Sequence, residues 1–139
     1  MQRLGRRVAF DYGDVRIGVA VCDPDGILAT PLVTLLRKDP KVFDSISEII
    51  SEYSPVKIYV GFPVALSGKS GIAVDKVEIF VQNLRDKFAL PIELIDERLS
   101  TVSATKLMRS AGVKDKDARS TIDQMAAVEI LEQGLARDR

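Results

Sequence analysis

The sequence predicts an α/β fold: a mixed five-stranded sheet with an antiparallel hairpin start and parallel later strands, flanked on both faces by helices. Three observations lead there. Residues 6–36 read as three extended segments separated by short Gly/Asp turns. From residue 39 the apolar period lengthens to that of a helix, and thereafter extended and helical segments alternate as they do in parallel βαβ units.

Residues 6–12 and 15–22 are apolar strand-forming runs joined by Gly13-Asp14, a connection short enough for a hairpin. An acid interrupts the first run. Strand interiors disfavour a lone carboxylate, so Asp11 is either turned to solvent at a strand end or held there for a purpose. After the turn residues Pro24-Asp25-Gly26, "ILATPLVTLL" is the third strand, and Pro31 favours an edge position or a bulge. Val42, Ile46, Ile49, Ile50 and Tyr53 mark one face of a helix over 39–53. "VKIYVGF" (56–62) is a buried strand, "PVALSGKSG" a Gly/Ser loop, and residues 71–88 a helix with Ile72, Val77, Phe80, Val81 and Leu84 inward. "LPIELID" (90–96) is the fifth strand.

Ser100 or Thr101 can cap a helix whose apolar stripe is Ala104, Leu107, Met108 and Ala111, closed by Gly112. "VKDKDAR" then reads as a charged, mobile loop before a last helix from Thr121 to about Ala136. Ala127, Val128, Ile130, Leu131 and Leu135 occupy one broad side of that helix.

With 139 residues and 46% hydrophobic content, the chain is long enough to bury the core of a single domain spanning 1–139. No apolar run approaches a membrane span, and "MQRLGRR" lacks a signal-type continuation, so a soluble cytoplasmic protein is expected. The single cysteine, Cys22, excludes an internal disulfide and a cysteine-built metal site. It reads as core. The absence of histidine removes the usual general base and the commonest transition-metal ligand, leaving carboxylates, lysines and hydroxyls for any chemistry.

Formal charge is zero overall but unevenly placed. Residues 39–97 carry net −4, whereas 98–119 carry net +4. Lys106, Arg109, Lys114, Lys116 and Arg119 could line a track for nucleic-acid phosphates, or be ordinary solvated surface.

The acids fall in a telling pattern. Asp11 closes the first strand, Asp96-Glu97 close the fifth, and on the helical wheel Asp123 lies between Ala127 and Ile130, on the side that should face the sheet. An inward carboxylate is costly unless paired or metal-bound, and Ala126, Ala127 and Gly134 let this helix come close to the sheet. Ligand crevices of open α/β sheets form at the carboxyl ends of parallel strands, so these acids can converge there. Converging carboxylates without histidine suit Mg²⁺ or Mn²⁺ and phosphoryl chemistry. Taken singly, each acid can equally cap a helix, end a strand or pair with an arginine.

With "FDYGDVRIGVAVCD", "VGFPVALSGKSG", "IDERLST" and "STIDQMAAVEIL" in this order and spacing, nearly the whole chain resembles the YqgF family of Holliday junction resolvase-like nucleases. The resemblance implies an RNase H-like fold and a nuclease that processes the 5′ end of the 16S rRNA precursor. It places the metal-binding, catalytic acids on Asp11, Glu97 and Asp123, with Glu97 preferred to Asp96. Gly13 would let backbone or phosphate come close. Arg16 and Arg98 match family arginines that hold phosphate or orient the acids, and either can equally be an ion-pair partner. Gly61 and Pro63 match as well. Ala65 and Ser67 depart from the Asn and acid common in that loop, which puts its substrate contacts in doubt and leaves the triad intact.

Lys69 lacks full phosphate-loop spacing and reads as solvated or backbone-contacting. Tyr12 is the one aromatic beside the site, so recognition by shape and phosphate fits better than a stacking platform. The implied partners are precursor rRNA, ribosomal particles or branched DNA, met by a monomer or by a homodimer that would suit a four-way junction. Two other classes stay open: a Holliday junction resolvase-type DNA endonuclease, and a non-catalytic nucleic-acid-binding module. A nucleotide-binding relative of the actin and sugar-kinase group is disfavoured by the lack of a second phosphate hairpin.

Overall fold

Three extended segments open the chain: β1 (Arg7–Tyr12), β2 (Arg16–Cys22) and β3 (Ala29–Leu36). They come from a computed structural model that describes residues 4–62, 72–96 and 116–139, with the backbone alone at 72–74 and 116–119. β1 and β2 pair antiparallel with Asp11 opposite Gly18, and the Gly13 N–H closes the turn onto the Arg16 carbonyl at 2.9 Å. β3 pairs antiparallel with β2 at the edge of the sheet. Its register slips between Val19, opposite Val33, and Ala20, opposite Pro31, leaving Leu32 as the extra residue of a bulge. Proline has no N–H for a ladder, and both sites that tolerate it, an edge and a bulge, are used here.

The chain then alternates. α1 (Val42–Tyr53) buries Val42, Ile46 and Ile49, as the spacing predicts. β4 (Lys57–Phe62) runs parallel to β1, α2 (Ile72–Lys87) follows, and β5 (Ile92–Asp96) runs parallel to β4. The strand order is β3-β2-β1-β4-β5. The last element is α3 (Lys116–Asp138). None of the described helices is long and apolar enough to cross a membrane. The helix expected near 100–112 and the loop near 63–71 lie outside the described residues.

α3 departs from expectation at its start: it begins at Lys116 rather than Thr121, so 116–119 is helix and not a mobile loop. A run of charged residues reads as solvated loop by its composition. Nothing in Lys-Asp-Ala-Arg breaks a helix, however, so it propagates through them. The Ser120 carbonyl, inside the helix, also accepts a hydrogen bond from the Thr34 hydroxyl of β3 at 3.1 Å.

Strand alternation sorts the core into two layers. Val8, Phe10, Ile17, Val19, Ile58 and Val60 pack with residues of α1 and α2, with Phe10 edge-on to Phe80. Ala9, Ala20, Cys22, Tyr59 and Ile95 pack with Ala126, Ala127, Ile130 and Leu131 of α3. Cys22 is core as expected, and burial pushes its thiol up, away from thiolate chemistry.

The α3 layer is thin by composition. A Cβ added at Gly18 would collide with the Asp123 carbonyl, and one at Gly134 would lie 2.6 Å from the Tyr59 ring. Beyond Gly134 the helix end is tied down. The Asp138 carboxylate accepts hydrogen bonds from Tyr59 Oη at 2.6 Å, Lys57 Nζ at 2.8 Å and Arg7 Nη1. Arg7 and Lys57 are register partners on β1 and β4, so parallel pairing brings both cations to one carboxylate. Burial works to raise Asp138, but hydrogen bonds from Lys57 and Tyr59 and the charges of Lys57 and Arg7 outweigh it, holding the carboxyl below its ordinary 3.8.

Two expectations follow from this packing. Gly18→Ala should destabilise the protein by about 1–3 kcal/mol in urea melts, because a helix backbone rather than a flexible side chain must yield; an unchanged midpoint would contradict the close approach. Asp138→Asn should cost about 2 kcal/mol at pH 7. Since the folded-state pKa of Asp138 is depressed, this advantage is present above the ordinary value and lost as pH falls through the folded one. Wild-type and variant melting temperatures should therefore converge below pH 3.8, and a gap that stays constant would exclude the ion pair as its source.

Candidate active site

Among the described residues, the buried charged side chains are two carboxylates, Asp11 at 1% exposure and Asp123 at 0%. They share one face of the sheet. Ala9 belongs to the α3 layer and Phe10 to the other, so alternation along β1 puts Asp11 under α3. Asp123 descends onto the same place from above, its backbone carbonyl resting where Gly18, the cross-strand partner of Asp11, has no side chain. On the other side of β1, Phe10 pairs with Val60, and the next residue of β4 is Gly61. Asp11 is thus flanked by glycine on both neighbouring strands, and on the β2 side the backbone of α3 occupies the room this leaves.

Arg16 completes the described part of the site. Its Nε–H donates to Asp123 Oδ2 at 2.6 Å, and the two side chains are 16% and 1% exposed. Of the alternatives weighed for Arg16, the structure shows an ion pair, with Asp123 as its partner. The turn between β1 and β2 is braced by Arg37, whose Nη1 donates to the Asp14 carbonyl at 3.1 Å and, at 3.4 Å, to that of Gly13. Its guanidinium also lies 4.9 Å from the centre of the Tyr12 ring, which stacks on Phe80 at 4.4 Å. Tyr12 thus packs between Arg37 and Phe80.

β5 ends on Asp96. Asp96 is the register partner of Phe62, which packs in the α1/α2 layer, whereas Ile95 packs under α3. Parallel partners share a sheet face, so Asp96 belongs to the side away from Asp11 and Asp123. Glu97, Arg98, Lys106 and Arg109 lie outside the described residues, and Arg119 is described only as backbone of α3.

Sequence reasoning passed over Gly18 and Arg37. A glycine inside an apolar strand is the available signal for the first, since it marks a bulge or the close approach of another backbone. Arg37 carries no comparable signal, because its role depends on where β3 ends against the first turn.

Comparison with known proteins places this arrangement. The profile of the family described as "RuvX: Holliday junction resolvase" matches residues 5–137. A Streptomyces coelicolor protein named "Putative pre-16S rRNA nuclease" is 49% identical over 139 residues, covering 99% of this chain and 83% of its own. A Mycobacterium leprae protein of the same name is 45% identical over 137 residues, 97% of this chain and 74% of its own. Among solved structures, Thermus thermophilus RuvC superposes with a TM-score of 0.59 at 13% identity, covering 96% of this chain and 95% of that one. RuvC from the same source in complex with a Holliday junction substrate gives 0.57 over the same shares of the two chains, also at 13% identity. The sheet order, the helices on both faces and these superpositions agree with the expected RNase H-like fold, and the chain belongs to the RuvX (YqgF) Holliday junction resolvase family.

Proposed function

We propose that this protein is a metal-dependent nuclease that hydrolyses phosphodiester bonds in precursor 16S rRNA, trimming the 5′ end, with Asp11, Glu97 and Asp123 as metal ligands. The observation that carries the reading is the burial of Asp11 and Asp123 on one sheet face beside Gly18. Two buried acids in one neighbourhood repel each other and lose hydration, and a divalent cation relieves both costs. The donor set fits Mg²⁺ or Mn²⁺: oxygen ligands, with no histidine or thiolate in reach. Glu97 is taken as the third ligand on the family resemblance, and Asp96 is set aside because its register partner Phe62 packs on the face away from α3.

When bound, the metal supplies Lewis acidity and lowers the pKa of coordinated water. The chain's own residues do the rest. Asp11, Glu97 and Asp123 bind and orient it, and in the metal-free protein Arg16 balances the buried charge of Asp123. Gly13 keeps a side chain out of the space a phosphate would enter, and Gly18 lets the backbone of α3 come down beside Asp11. Arg98, Lys106, Arg109 and Arg119 hold the nucleic-acid backbone by charge, without reading sequence. The relatives named for pre-16S rRNA favour RNA as substrate and the cytoplasm, where ribosomes assemble, as the place of action. A second reading, cleavage of branched DNA, is favoured by the description of the family.

A panel of single-stranded RNA, RNA carrying the 16S precursor 5′ leader and a four-way DNA junction, each with Mg²⁺, Mn²⁺ or EDTA, tests both. Cleavage of the leader RNA should require metal and fall by about 100-fold or more in Asp11→Asn with the fold intact. Preferential cutting of the junction would select the second reading, and full activity of Asp11→Asn would overturn the mechanism.

A further inference from the structure

Arg16 begins β2 and lies on the α3 face, with its Nε–H bonded to Asp123 Oδ2 at 2.6 Å. The pair is nearly out of water, at 16% and 1% exposure of the side chains. An ionised carboxylate in such a place persists only with a counter-charge, and here a guanidinium provides it. The carboxylate it covers is one that the proposed metal site would use. Two cations drawn to one buried carboxylate repel each other strongly, because little solvent lies between them to screen the interaction.

Resting on the metal site proposed above, we infer that Arg16 is a placeholder counter-ion that competes with the divalent cation for Asp123. In metal-free protein it stabilises the buried acid and keeps α3 seated on Gly18. Metal loading loosens the Nε–H···Oδ2 bond, and Arg16 in turn weakens metal binding by the same factor, since coupling between two binding events is reciprocal. The released guanidinium stands at the rim of the site, where a phosphate oxygen can take the place of Asp123. Metal and nucleic acid would then favour each other's binding without any contact beyond this exchange.

Thermal melts of wild type and Arg16→Gln across a Mn²⁺ titration separate this role from a structural one. The metal-free variant should melt lower by several degrees, its Mn²⁺-induced rise should exceed that of wild type, and its apparent Mn²⁺ affinity should be tighter by at least about fivefold. A lower melt with an unchanged Mn²⁺ rise would assign Arg16 to packing alone, and a smaller rise would make it a support for the metal; either overturns the competition. If neither protein responds to Mn²⁺, the metal site falls and the placeholder with it. Should Arg16→Gln fail to fold, the Arg16 Nε–H resonance of wild type decides. It should be protected from solvent exchange without metal and lose protection as Mg²⁺ saturates the site, and retained protection at saturation would refute the exchange.

Discussion

The seat of α3 on β2 governs the rest of the molecule. At Gly18 a helix backbone lies where a side chain would ordinarily stand, and that closeness brings Asp123 down to the level of Asp11. Alanines at 20, 126 and 127, all fully buried, keep the two layers near each other along the same line. The cost is a helix that buries a carboxylate, worth several kcal/mol if left alone and offset here by Arg16. At the far end, Asp138 is held by Arg7, Lys57 and Tyr59, so α3 is fixed at both ends of its buried length. A helix pinned at one end only could pivot, and a small pivot would spoil the relation between the two acids.

The two faces of the sheet divide the work. Large side chains fill the α1/α2 side, where Phe10, Tyr12, Phe43 and Phe80 cluster, and that layer supplies most of the bulky apolar burial. The α3 side combines large residues, Tyr59, Ile95, Ile130, Leu131 and Leu135, with the small ones, Gly18, Ala20, Ala126 and Ala127, that permit the close approach. β1 serves both: Phe10 and Tyr12 anchor it in the first layer while Asp11, between them, is presented to the second. Rigid packing on one side is what allows a carboxylate on the other to hold its position.

Much of this was legible in the sequence because local rules were broken in visible ways. Asp11 and Asp123 stood out as acids in apolar patterns, and conflicts of that kind concentrate at functional sites. Pro31 pointed to an edge or a bulge, and β3 has both. Other features depend on partners far apart in the chain. Gly18 could mark a bulge as readily as a close approach until α3, about a hundred residues later, is seen resting on it. Asp138 in "ARDR" looks like solvated tail, and only the parallel register of Arg7 and Lys57 makes it an anchor. The choice between Asp96 and Glu97 hinges on which face α3 covers, which alternation within one strand does not reveal. The start of α3 was misplaced because the charged run "VKDKDAR" reads as loop by composition, while nothing in Lys-Asp-Ala-Arg stops a helix.

In the function proposed above, Asp11, Glu97 and Asp123 hold one divalent centre. Anomalous diffraction from crystals grown with Mn²⁺ tests it most directly. The account predicts a peak within coordinating distance of all three carboxylates, on the face shared with Gly18. A peak at other residues, or none with Mn²⁺ at saturating concentration, would contradict it.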